Sequence, residues 1–148
     1  MEDGPQFRIG SSNRAHVIVS PSRRQHPEAH DYWDGNWVYA SVRIAARGFR
    51  GDFEAQLRAE EFASFRDQLK PLNEKLDGRA KFATTEGWLR IEIEGDGKRH
   101  FHAECAAVDQ PGMGNRLTFT IDFDQTELPG TLRGLDAVCE AFPVVGNP

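Results

Sequence analysis

Hydrophobic and polar residues alternate along most of this chain, and the period changes to that of a helix only twice. From Trp37, the residues Val38, Ala40, Val42 and Ile44 alternate with Tyr39, Ser41 and Arg43. After Gly48 a second run sets Phe49, Gly51, Phe53, Ala55 and Leu57 against Arg50, Asp52, Glu54, Gln56 and Arg58. A period of two is that of an antiparallel sheet with one face in the core. Phe7-Arg8-Ile9 and Val17-Ile18-Val19 predict two short strands around a turn at Ser11-Ser12-Asn13. Ala80 to Phe82, Trp88 to Ile93, Phe101 to Ala107 and Leu117 to Phe123 predict four more.

The first helical stretch places Phe62, Phe65, Leu69, Leu72 and Leu76 on one face, with Glu60 and Glu61 in the first turn, where the helix dipole favours anions. Pro71 falls inside it and is expected to kink or split the helix, at a cost on the order of 3 kcal/mol if it stayed straight. The second stretch begins near Gln125. Asp124 is placed to cap it, Glu127 completes a capping-box-like spacing, and Leu128, Leu132, Leu135, Cys139 and Phe142 form the apolar face before Pro143. The expected fold is therefore α+β: a mainly antiparallel sheet of about seven strands with two long helices packed on one face. Its predicted core holds Phe53, Leu57, Phe62, Leu69, Leu89, Ile91, Phe101, Cys105, Phe119, Ile121, Leu128 and Leu135. Residues 66 apart also fall into register. Phe53, Leu57, Phe62, Leu69 and Leu76 map onto Phe119, Phe123, Leu128, Leu135 and Phe142, as an internal duplication of a strand-to-helix unit would make them.

The length, 148 residues, suits one domain, residues 1–148, with an irregular segment over 1–30 that includes the short strands. Within it, Ser20 to Asp31 reads as a polar loop, and Asp34-Gly35 beyond it is a turn signal between strand-like residues. Mean hydropathy is −0.59, and the longest apolar run, Trp37 to Ala46, is broken by Arg43. Met1 to Gly10 starts acidic and lacks an apolar h-region, so neither a membrane span nor a secretory signal is expected and the cytoplasm is the expected location.

The net charge of −5 is uneven. Residues 1–50 carry 7 basic and 5 acidic side chains, whereas residues 101–148 carry 2 and 7. An acidic C-terminal third repels phosphate backbones and suits a basic protein partner, so direct nucleic-acid binding is not expected. Cys105 and Cys139 form no zinc motif and no disulfide framework, and both fall on apolar faces as reduced core residues.

Candidate chemistry is thin. His100, His102 and Glu104 share the polar face of one strand, and Glu92 or Asp122 could complete a zinc site. Two imidazoles on a solvated face lack a placed third ligand, so no metal is expected there. His26, Glu28, His30 and Asp31 cluster in the polar loop, as its composition alone would arrange. No Gly-x-Ser-x-Gly, phosphate loop or dinucleotide fingerprint occurs, which speaks against an enzyme and against a cofactor. Tyr32, Trp33 and Trp37 around Asp34-Gly35-Asn36 are the most distinctive local feature, able to anchor a partner or cover the end of the core.

Four stretches together carry a resemblance: Asp31-Tyr32-Trp33-Asp34-Gly35-Asn36-Trp37, the Gly48-Phe49-x-Gly51-x-Phe53 run, the Leu57/Glu61-Phe62-x-x-Phe65 join, and Phe123-Asp124-Gln125-Thr126-x-Leu128. Over residues 31–142 the chain resembles the WapI family of bacterial immunity proteins. That resemblance implies a non-enzymatic antidote that binds a cognate toxin domain, often a nuclease, and transfers no catalytic residues. The partner-binding residues expected on this reading are Asp124, Glu127, Asp136 and Glu140 of the acidic third, with Trp33. A small-ligand or metal-binding domain using His100, His102 and the aromatic loop is the alternative. An oligomerisation module forming a homodimer through a sheet face or edge is a third.

Overall fold

The alternating runs pair in sequence order. In the computed structural model, which describes residues 4–148, β1 (Phe7–Gly10), β2 (His16–Arg24), β3 (Trp37–Ala46) and β4 (Phe49–Arg58) form one antiparallel meander. A short helix, α1 (Tyr32–Gly35), precedes β3, and the long α2 (Ala59–Lys75) follows β4 directly. The pattern then repeats. β5 (Asp77–Ala83), β6 (Leu89–Asp96), β7 (His100–Val108) and β8 (Arg116–Asp124) form a second meander, and a 3₁₀ turn (Gln125–Glu127) leads into α3 (Leu128–Ala141). The acidic start Met1 to Asp3 lies outside the described residues.

The fold is α+β, with its eight strands in two four-stranded sheets. A single sheet of about seven is what alternation suggests, because period two reports that a face is buried and not what covers it. Here each sheet's apolar face turns toward a shared core. The 66-residue spacing is exact at the second half of each unit: β4 ends at Arg58 and β8 at Asp124, while α2 ends at Lys75 and α3 at Ala141. Each helix then packs on the first strand of the other sheet, α2 on β5 and α3 on β1, and the two helices lie side by side.

Four phenylalanines join these parts. Phe7 of β1 lies with its ring centroid 6.0 Å from Phe62 and 5.6 Å from Phe65 of α2, and 5.5 Å from Phe82 of β5. All four are fully buried, so one aromatic cluster ties both sheets to α2. On the other side α3 comes close enough to β1 that only glycine fits at position 134: a Cβ there would stand 2.3 Å from the Gln6 carbonyl oxygen. Thr131 seals the contact, its hydroxyl donating to the Arg8 carbonyl at 2.5 Å.

Three expectations change. Pro71 lies within a continuous α2, because it is exposed and one turn from the helix end, where water can serve the carbonyl it leaves without a donor. The Asp34-Gly35 signal is a helical turn rather than a hairpin, since β2 and β3 are joined by a twelve-residue connection, 25–36. Phe53 and Phe119, equivalent under the 66-residue spacing, are half-buried, while the other ten predicted core residues are buried. Both sit near the middle of edge strands, β4 and β8, and Phe53 stacks on Trp88 at 6.2 Å. Replacing fully buried Ile121 by Ala is expected to lower the unfolding free energy by about 2–5 kcal/mol in chemical denaturation, and Phe119→Ala by less.

Candidate functional site: the aromatic turn and the acidic surfaces

The Asp31–Trp37 segment is held from four directions. Asp31 caps α1, its carboxylate accepting from the Asp34 amide at 3.0 Å. Asn36 is completely buried, and its carboxamide is fully used: Nδ2 donates to Tyr32 O at 2.9 Å and to Val145 O at 3.0 Å, while Oδ1 accepts from Val145 N at 2.9 Å. Arg24 donates to Gly35 O at 2.6 Å and to Pro143 O at 2.5 Å, so the segment after α3 is bound against the turn.

The fourth hold is Arg58, the last residue of β4. Alternation assigns it to the polar face, yet it is only 5% exposed. Its guanidinium donates to Trp33 O at 2.9 Å and Tyr32 O at 2.7 Å, pairs with Glu60, and lies 4.9 Å from the Trp37 ring centroid and 5.2 Å from that of Tyr32. A buried charge is stable only when paired and hydrogen-bonded, and here a carboxylate, two carbonyls and two aromatic faces meet that need. Glu61 completes the junction. Its Oε1 accepts from the Arg58 amide at 2.8 Å, and Oε2 accepts from the Thr85 amide and hydroxyl at 2.6 and 2.7 Å, tying α2 to the β5–β6 loop. Burial raises the Glu61 carboxyl above the ordinary carboxyl range, against the lowering pull of those three bonds.

Of the three aromatics Trp33 is the exposed one, at 64%, with Tyr32 edge-on at 5.1 Å. The other candidates do not converge on it. Asp124 is exposed, caps the 3₁₀ turn by accepting from Thr126 N at 3.0 Å, and lines a cleft of about 730 Å³. Glu127 is half-buried, and Arg8 lies 3.5 Å from it. Asp136 and Glu140 are exposed on α3, where Lys70 of α2 stands 4.0 Å from Asp136.

The cleft beside Asp124 is walled by Glu94, Asp96, His100, His102 and Asp122 of the second sheet, with Arg14 opposite. The backbone amides of Lys98 and His100 hold the Asp96 carboxyl below its ordinary range. His102 Nδ1 lies 2.6 Å from Asp122 Oδ1, and Nε2 is 3.8 Å from Glu104. Among the described residues no group of three His, Cys, Asp or Glu side chains is arranged to hold a metal ion. Cys105 is buried, which pushes its thiol up to about 12, and half-buried Cys139 is raised for the same reason. Neither is a thiolate nucleophile at neutral pH.

The turn motif thus serves structure, and the polar groups lie spread over open surfaces, an arrangement suited to contact with another macromolecule. The chain belongs to the immunity protein WapI-like family, whose profile matches residues 8–143. The match begins in β1, well before the motif-rich residues 31–142, because β1 and β2 are full members of the first sheet. No curated protein matches the chain. Among solved structures it is similar to a chain in the crystal structures of trypanosoma bruciei MRP1/MRP2, at 15% identity and a TM-score of 0.49, over 95% of this chain and 87% of that one. A likeness that faint says nothing of function. No helix among the described residues is long and apolar enough to cross a membrane.

The Glu61 junction makes a pH prediction. A carboxyl raised in the folded state contributes stability that is fully present below its unfolded value and lost as pH rises through its folded value. Glu61→Gln loses one acceptor and is expected to cost about 1–3 kcal/mol at neutral pH. In urea titrations the gap between the native chain and the variant should widen as pH falls through the interval just above the ordinary carboxyl range.

Proposed function

We propose that this chain is a non-enzymatic, cytoplasmic immunity protein that binds a basic toxin domain and blocks it, taking neither metal nor cofactor and binding no nucleic acid. Family membership supports the immunity role. The observation that carries the basic partner is where the acidic third puts its charge. Of its seven carboxylates, Glu104, Asp109, Asp122, Asp124, Asp136 and Glu140 are exposed, and only Glu127 is half-buried. A domain that holds phosphates in a basic cleft would meet in this surface a competitor of the same sign as its substrate.

The small-ligand alternative has less support. Ligand sites are predominantly apolar and enclosed, whereas the cleft at His100 and His102 opens on an exposed sheet face and is walled by four carboxylates. Charge reversal at Asp136 and Glu140 tests the proposal, since both are exposed and the Lys70 pairing is worth little at a surface. Against the product of the neighbouring gene, the double change to Lys should slow association about tenfold at low salt and flatten its salt dependence. The thermal midpoint should hardly move. Unchanged association with unchanged salt dependence would count against the role of α3, and no association by the native chain would remove the immunity reading.

A further inference from the structure

We propose that the α1 turn is a preorganised docking platform whose anchor is Trp33, and that its occupant is a protein surface with an apolar pocket rimmed by lysine or arginine. This rests on the reading of the chain as a binder of a basic partner, and it names the surface that holds that partner.

Among the described residues three large apolar side chains are more than half exposed: Trp33 at 64%, Phe49 at 66% and Met113 at 79%. Phe49 adjoins the β3–β4 turn, and Met113 lies in the loop between β7 and β8. Phe49 is held too, by its pairing with Ala46 and by Arg50 on its carbonyl at 3.1 Å, but the arginine that holds Trp33 is a buried one. The Trp33 carbonyl and that of Tyr32 are both bound by Arg58, and Asn36 gives Tyr32 O a further donor at 2.9 Å. The Tyr32 ring meets the indole edge-on. An exposed aromatic on a fixed backbone loses little conformational entropy on binding, and tryptophan is among the side chains that most often anchor an interface.

The charges around it are sorted. Both guanidiniums of the turn, Arg24 and Arg58, point inward onto backbone carbonyls. The two carboxylates that bracket Trp33 in sequence, Asp31 and Asp34, are exposed, Asp31 while it caps α1. An indole presented with outward carboxylates and inward cations favours a cationic rim, with an ammonium or guanidinium over the ring face.

Anchor and charge should separate kinetically. With the product of the neighbouring gene as probe and the full chain immobilised, Trp33→Ala should raise the dissociation rate at least about tenfold with association nearly unchanged. Asp34→Lys should chiefly slow association, and Phe49→Ala should alter neither rate. The thermal midpoint of Trp33→Ala should stay within a few degrees of the native value, which separates a lost contact from a damaged fold. Native-like dissociation from Trp33→Ala while the native chain binds would overturn the platform and leave the immunity reading standing. Failure of the native chain to bind would overturn both.

Discussion

A full positive charge at the end of β4, almost sealed from water, is the constraint around which this end of the molecule is built. Arg58 is cut off from water, so its surroundings must replace the solvent it lost. They do so with Glu60 from the first turn of α2, with carbonyls from the α1 turn, and with the faces of Trp37 and Tyr32. One side chain thereby sets where α2 leaves the sheet and how the Asp31–Trp37 segment is folded. The segment beyond α3 follows, because Asn36 and Arg24, which bind it, are part of the same turn. Removing one partner from such a cluster leaves a buried charge uncompensated, so its parts stand or fall together.

The two halves of the chain solve the same packing problem in the same way. Each makes a four-stranded meander with one apolar face and then a helix that one meander cannot cover. Exchanging helices, so that each rests on the first strand of the other sheet, buries both faces in one core around Phe7, Phe62, Phe65 and Phe82. The outward faces are then free to differ. Arg8, Arg14, Arg23, Arg43 and Arg50 lie on the first sheet or its turns, whereas the second sheet carries Glu92, Glu94, Glu104, Asp122 and Asp124. The charge imbalance along the sequence becomes an imbalance in space.

Strands, the two long helices and ten of the twelve expected core residues were legible because alternation and helical spacing record burial directly, whereas Phe7, Phe65 and Phe82 were not among those twelve. Most of the eight strand assignments follow from the rule that every second side chain faces inward, and Ile91, Cys105 and Ile121 obey it. What periodicity does not record is the identity of the covering layer, hence two sheets in place of one. Nor does it govern residues where an element ends. Arg58 sits at the strand-to-helix junction, where the chain turns away from the sheet and face parity no longer decides burial. The aromatic turn was visible as a cluster, and so was its choice between anchoring a partner and covering the core. The structure divides that choice, with Trp37 held under Arg58 and Trp33 left in water. The carboxylates of the acidic third were legible as exposed, but their neighbours Lys70 and Arg8 come from distant segments that no local pattern connects to them.

Arg58 holds the turn and, through it, the segment after α3. Native-state amide exchange at Asp34, Gly35 and Val145 tests it directly, since each amide donates within the lock. In the native chain these three should be protected well beyond exposed loop amides. In Arg58→Met they should lose that protection together, while amides of the second sheet, such as those of β6 and β7, keep theirs. Protection at Val145 that survives the loss of Arg58, or fast exchange at all three in the native chain, would contradict the account.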